Sequence, residues 1–340
     1  VSDTVNPKSP CYMYSDLELA AYAAQLAMAD ANVNANDVDA MYFSQCGTGF
    51  NELKVCHQVE VAEWCGMSGK PAYKHEEACA SSYLAIDDAI MAIASGKYDI
   101  VMVVGADTGR AYPVPSQPPH MRRNPKNWGD DINTAHLGHF TKLMQTTNED
   151  SAYVRWNQSQ AADGFEEAFK LYMDKYGVTG EEIDEAIKGY AVNSRRGAAL
   201  NELSKLYGMT YEKEAAAVGL TVDEYFASPK YNPRVSEHCS KAGMGIHGDG
   251  GGALILCSGD IAKKYNKEPI RISAFGISQY VQTQPYSITR YKEDSLHQLV
   301  ESTGIKSEEI DALYAGDFTV FETILAAEMI GYLPEGEGWK

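Results

Sequence analysis

The sequence predicts an α/β protein, and three observations predict it. The stretch Tyr73–Thr108, YKHEEACASSYLAIDDAIMAIASGKYDIVMVVGADT, reads as strand, tight corner, long helix, turn at Gly96 and strand. Its last segment, Ile100-Val-Met-Val-Val-Gly-Ala, is a continuous apolar run, as expected of a sheet interior covered on both faces. The third observation is an internal echo. Glu308-Glu-Ile-Asp-Ala-Leu-Tyr repeats Asp37-Val-Asp-Ala-Met-Tyr, which implies two topologically similar halves.

Taken in order, Leu17–Ala31 places apolar and alanine residues at helical spacing, and Asp37–Phe43 begins a strand. Cys46-Gly-Thr-Gly-Phe is a glycine-rich turn without the length or lysine of a phosphate loop, so it is read as packing. Glu52–Trp64 is helical in pattern, with Cys56 and Cys65 expected to be buried. After the Tyr73–Thr108 unit the composition changes. PVPSQPPHMRRNPKNWGDD is proline-rich and mixed in charge, the entrance to an inserted loop or cap region over 112–188. That region carries Trp128, His136, His139, Trp156 and a helix from Asp163 to Tyr176. His136-x-x-His139 has no acidic or thiol partner at zinc-ligand spacing, so no metal site is expected.

Tyr190–Leu206 is helical, Gly208–Pro233 acidic and partly helical, and Gly252–Cys257 a buried strand that closes a first half. Pro269 opens a second half, with a helix at Ser295–Ser302 and a strand at Ile310–Ala315. The expected domains are therefore 1–111 with 189–260, the insertion 112–188, and an incomplete second half over 261–340.

Composition narrows the function classes. The net charge of −18 repels nucleic acid and anionic membranes, so neither is an expected partner. No apolar run is long enough to span a bilayer, and the polar opening VSDTVNPKS does not read as a signal peptide. Seven cysteines, scattered and without CxxC spacing, argue for a reducing compartment, with cytoplasm as the expectation.

Cys79 stands where the helix Ala80–Ala94 should begin. A free thiol titrates near ~8.5, and a helix N-terminus favours the thiolate. Ala78, Ala80, Ser81 and Ser82 are small and leave room for a substrate chain, and apolar Leu84, Ile90, Met91 and Ala94 would hold the scaffold. Glu76 and Glu77 would oppose a thiolate sharing their pocket, and a free cysteine also serves as a small core hydrophobe. The residues alone leave both readings open.

The segment Glu76-x-x-Cys79-Ala-Ser, Ala85, Ala89, Ile93, Ser95-Gly96-x-x-Asp99, Val104-Gly105-Ala106 resembles the nucleophile segment of the thiolase superfamily, in its sterol-carrier-protein type. Asp16–Ala31 with Val38-Asp39-Ala40, Tyr172–Ile183, His247-Gly-Asp249-Gly250-Gly-Gly-Ala253, and Asp317-Phe-Thr through Glu328, Gly331 and Gly336-Glu-Gly338 resemble further segments in the family's order. The resemblance implies a thiolase fold: two related βαβ-type halves, helices around mixed sheets and an inserted loop domain. It implies Cys79 as acyl-accepting nucleophile, an acyl-CoA and free coenzyme A as substrates, and no bound cofactor.

A polyanionic coenzyme A would need local cations, for which Arg122, Arg123, Arg195, Arg196 and Lys241 are candidates; Arg195, Arg196, His247, Gly316 and Asp317 form the candidate substrate-binding set. A homodimer is expected. So is a small zinc-ribbon/OB-fold subunit, the place for zinc if any is used, as in two-subunit thiolases of the benzoylsuccinyl-CoA kind. This sequence departs from the pattern at Gly316, where the family places Asn or His, and in lacking a Gly-His-Pro loop. The expectation is therefore that these residues belong to a longer polypeptide. His247 in its glycine run matches the strand motif rather than the missing base. A carbon–carbon bond-forming synthase, a side-chain aldolase and a non-catalytic scaffold subunit are the rival readings.

Overall fold

The computed structural model describes residues 9–12, 14–45, 56–77, 80–107, 169–245, 248–265, 268–277, 301, 303–316 and 319–340. Contacts divide the chain into two compact units, Val1–Asp131 with His247–Ile277 and Ile132–Ile246 with Ser278–Lys340.

The first unit is a mixed sheet between helices. Helix α1 (Asp16–Ala31) starts in a capping box, with the Ser15 N–H donating to Glu18 at 2.8 Å and the Glu18 N–H to Ser15 at 3.3 Å. It ends at Asn32, in the left-handed region at φ 55. Strands β1 (Ala40–Ser44), β2 (Ala72–His75), β3 (Ile100–Asp107) and β4 (Gly250–Cys257) lie in the order β2-β1-β3-β4. The first three are mutually parallel and β4 is antiparallel to β3. Helix α2 (His57–Trp64) joins β1 to β2, and α3 (Ser81–Ala94) joins β2 to β3.

Strand alternation sorts the core. Met41, Phe43, Met102 and Val104 pack with Leu17, Ala20 and Ala24 of α1 and Val61 of α2. Ala40, Tyr42, Val101 and Val103 pack on the other face against Ala85, Ala89 and Ala92 of α3. Both faces of β1 and β3 are thus covered, which is why those strands run apolar at successive positions up to Phe43 and Ala106 rather than at alternate ones.

Several local expectations change. The face of α3 that meets the sheet is Ala85, Ala89 and Ala92, whereas Met91 is 62% exposed and Ala94 is exposed too. Small side chains let the helix axis approach the sheet, with Ile86 and Ile93 flanking the contact and Tyr83 and Met91 exposed to solvent. Cys56 is exposed because it caps α2 rather than lying within it, while Cys65 is buried as expected. Strand β4 is an edge strand and only half-buried, with Leu254 at 47% exposure. Residues 310–316 run without regular structure, and Tyr314 is 94% exposed. Apolar alternation makes a strand only where a neighbour completes the hydrogen-bond ladder.

Helix α3 closes at a Schellman turn. Gly96 takes φ 73, its N–H donates to Ile93 and the Lys97 N–H to Ala92, both at 3.0 Å.

The second unit is helical. A helical stretch over residues 169–176, the helix Gly180–Leu200 and the helix Val320–Met329 share a core of Phe169, Tyr172, Ile183, Ile187, Phe321 and Ile324. Short helices Tyr211–Ala217 and Val222–Ala227 account for the partly helical character of the acidic stretch. Among the described residues, no helix is long and apolar enough to cross a membrane.

Candidate functional site

Cys79 itself lies outside the described residues, as do His247 and Asp317. What flanks Cys79 in sequence is well placed. The Ala80 N–H donates to the Glu77 carbonyl at 2.9 Å, closing a turn. Ser81, 4% exposed, accepts from the Glu77 N–H at 2.8 Å and donates to the Gln45 carbonyl at 3.2 Å. One hydroxyl thereby ties the first turn of α3 to the ends of both β2 and β1.

Gln45 is in turn held from the opposite side. Its Nε2 donates to Asp16 Oδ2 at 2.7 Å, and its Oε1 lies 2.7 Å from His57 Nδ1. An amide oxygen carries no proton, so His57 Nδ1 is the donor in that pair. Asp16, Gln45 and His57 are buried, at 0%, 3% and 0% exposure. The Asp16 carboxylate sits in the first turn of α1, where the helix dipole favours negative charge. Asp16, Gln45 and His57 thus form a buried hydrogen-bonded chain that ties the end of β1 to α1 and α2.

A cavity of about 600 Å³ opens beside this point. It is lined by Ser44 and Gln45 at the end of β1, Ser81, Ser82 and Ile86 of α3, Val103, Gly105, Ala106 and Asp107 of β3, and Gly248 with Gly250 to Leu254 around β4. In a doubly wound sheet the crevice for ligands lies outside the carboxyl ends of the parallel strands, where successive crossovers go to opposite faces. Here α2 and α3 leave on opposite faces of β1, so the cavity sits at that crevice. Its floor is bare because the residues meeting there, Gly105, Gly250, Gly251 and Gly252, have no side chains.

Of the cationic candidates, Arg122 and Arg123 lie outside the described residues, and Arg195, Arg196 and Lys241 lie in the second unit with Gly316. Arg195 is 7% exposed, donates to Glu214 at 2.6 Å and lies 4.2 Å over the Tyr211 ring. Arg196 is exposed and pairs with Glu212. Gly316 is exposed, and its carbonyl accepts from the Thr323 hydroxyl at 3.4 Å.

Two other thiols are inert by environment. Burial pushes the Cys65 thiol up to about 11 and raises that of Cys257. A raised thiol is the opposite of what a nucleophile at neutral pH requires. Among the described residues no group of three His, Cys, Asp or Glu side chains is placed to hold a metal ion.

Sequence reading missed Asp16, Gln45, His57 and Ser81. The one local signal was Ser44-Gln45, two polar residues closing an otherwise apolar strand.

Comparison with known proteins follows the same lines. The family described as Thiolase, N-terminal domain, matches residues 12–127. The acetyl-CoA acetyltransferase of Methanothermobacter thermautotrophicus is 24% identical over 319 residues, 92% of this chain and 72% of that protein. The benzoylsuccinyl-CoA thiolase subunit BbsB of Thauera aromatica is 34% identical over 96 residues, 27% of this chain and 25% of that one. Among solved structures, the Ltp2-ChsH2(DUF35) aldolase superposes with a TM-score of 0.64 at 20% identity, over 96% of this chain and 75% of its own, a likeness of fold.

Proposed function

We propose that the chain is an acyltransferase of the thiolase kind that cleaves a 3-oxoacyl-CoA with free coenzyme A through an acyl-cysteine, a reading supported by the thiolase N-terminal domain match and by the likeness to an acetyl-CoA acetyltransferase and to BbsB. Cys79 is the nucleophile. The observation that carries this reading is the cavity at the carboxyl ends of β1 and β3, lined by Ser81 and Ser82, which follow Cys79 in sequence by two and three residues.

The chemistry balances as follows. The Cys79 thiolate adds to the C3 carbonyl carbon, and the C2–C3 bond breaks with its electron pair left on C2. A proton delivered there completes the shortened acyl-CoA. The thiolate of free coenzyme A then attacks the acyl-cysteine carbonyl, the bond to sulfur breaks, and a second acyl-CoA leaves with Cys79 regenerated. Splitting one demanding displacement into two is the gain of covalent catalysis, and ping-pong kinetics is its mark. The N-terminal end of α3 favours the thiolate, and the Gln45–Ser81 tie holds the corner from which it acts.

By likeness to BbsB, an aromatic substrate of the 2-benzoylsuccinyl-CoA kind is the specific proposal. BbsB is named as a subunit and the aldolase as Ltp2-ChsH2(DUF35), and on that footing this chain works as a dimer with a second, small subunit. A side-chain aldolase or a bond-forming synthase on the same fold is the second reading, favoured by the full-length likeness to the aldolase.

Incubation with an acyl-CoA, digestion and mass spectrometry separates them. The expected result is the acyl mass on the peptide holding Cys79, discharged by free coenzyme A and absent from Cys79→Ala. Carbon–carbon cleavage that survives in Cys79→Ala without an adduct would move the assignment to the aldolase. Absence of both adduct and turnover would leave a scaffold subunit.

A further inference from the structure

Two glycines lie directly opposite each other on the cavity floor, Gly105 of β3 and Gly252 of β4, and they are glycine for different reasons. A Cβ at Gly105 would lie 2.5 Å from the Ser44 hydroxyl and 2.7 Å from the Ser44 carbonyl oxygen. There the close approach of β1 and β3 forbids a side chain. A Cβ at Gly252 would meet no described atom within 4 Å. Nor is Gly252 among the glycines with positive φ, so its backbone suits any residue. Among the described residues neither packing nor backbone accounts for the missing side chain, and Gly252 lines the cavity.

The cavity is graded along the strands. Val103 and Leu254, paired two residues along the strands, form with Ile86 of α3 an apolar end, where Leu254 is 47% exposed. Asp107, paired with Gly250 two residues outward, and Ser82 make the other end polar. Two strand residues span roughly 6.5 Å, so Gly252 sits midway, on the path between a polar mouth and an apolar pocket.

We propose that Gly252 is the specificity-determining residue of an acyl subsite, and that the group received is a bulky branched or aromatic acyl of a thioester. The inference rests on the acyl-transfer reading above and adds to it the residue that selects among acyl groups. A short acyl would leave the Ile86–Val103–Leu254 end empty, whereas a ring can lie flat on the side-chain-free floor. A side chain at 252 would narrow the floor for wide groups before it affects narrow ones.

The test compares benzoyl-CoA with acetyl-CoA as acyl donors to wild type, Gly252→Ala and Gly252→Val, timing adduct formation on Cys79 by mass spectrometry. In each reaction the Cys79 thiolate replaces the coenzyme A thiolate on the carbonyl carbon. The expected result is a benzoyl-to-acetyl rate ratio that falls about tenfold or more in Gly252→Val and by a smaller factor in Gly252→Ala, since added methyl groups in a pocket shift selectivity on the order of 10–200-fold. Gly252→Ala adds one methyl group to open space and keeps the comparison available should the valine variant fail to fold. A wild type that reacts, with variants whose ratio is unchanged, overturns the role of Gly252 while leaving acyl transfer standing. A wild type that takes up neither acyl group overturns acyl transfer, and the subsite with it.

Discussion

In the first unit, side chains are withdrawn at one end of the sheet, and the polar groups there are held by the backbone of neighbouring strands. Ser81 bonds two main-chain groups, and Gln45 is clamped between Asp16 and His57. In the second unit the core around Phe169, Tyr172 and Phe321 is filled by side chains instead. Phe169 and Phe321 stack with ring centres 3.5 Å apart, and Glu328 accepts from the Tyr172 hydroxyl at 2.5 Å, the Gly336 N–H at 2.8 Å and the Gly338 N–H at 2.7 Å. Both units bury hydrogen-bonding groups and both hold a cavity, but that of the second unit, about 860 Å³, is walled by the charged side chains of Glu181, Asp184, Lys188 and Arg234 rather than by bare backbone. The difference teaches that a site is recognised here less by reactive side chains than by where the fold declines to place any.

The sharpest test of that contrast is Glu328→Ala, which leaves one hydroxyl and two main-chain donors without their carboxylate. It should cost about 3 kcal/mol in the second unit, read by urea unfolding of its tyrosine signals, while acylation of Cys79 continues. A loss of acylation in step with stability would mean that the two units do not divide the labour in this way. Next comes Gly105→Ala, where the added methyl group collides with main-chain and hydroxyl atoms of Ser44. About 2 kcal/mol of destabilisation is expected, against almost none for Gly252→Ala in the same denaturation assay. Equal costs at the two glycines would remove the distinction between a packing glycine and a cavity glycine.

The smallest effect concerns Cys65. Its folded thiol is raised by burial from the ordinary 9.0 to about 11. A raised folded value means the stability contribution is complete below pH 9, declines as the unfolded thiol ionises, and is gone above pH 11. At most about 2 kcal/mol should therefore be lost between pH 8 and pH 11, and Cys65→Ala should lose less over that interval. Parallel pH profiles for the two proteins would show that burial of this thiol is not what sets its ionisation.

Much of the fold was legible because its signals are local. Helix α1 was expected at Leu17–Ala31 and runs Asp16–Ala31; α3 was expected from Ala80 and starts at Ser81, both ending at the predicted residue. Capping, alanine periodicity and a glycine stop act within a few residues, so a linear reading sees them. The partner of Gln45 29 residues away at Asp16, and of Ser81 36 residues away at Gln45, leave no such trace. The strand expected at Ile310–Ala315 failed for the converse reason, since its pattern was local but its ladder had to come from elsewhere.

The sequence by itself determined the α/β class, the limits of α1 and α3 (though not of the helix expected at Tyr190–Leu206, which runs Gly180–Leu200), the thiolase-like order of motifs and the choice of Cys79 as the residue to watch. Tertiary structure decided which face of α3 meets the sheet, which polar groups lock the end of β1, and that Gly105 is glycine for contact whereas Gly252 is glycine for space. The physical reason is range. Backbone propensity and capping are settled between near neighbours in the chain, while packing, burial and the emptiness of a cavity exist only between segments that folding has brought together.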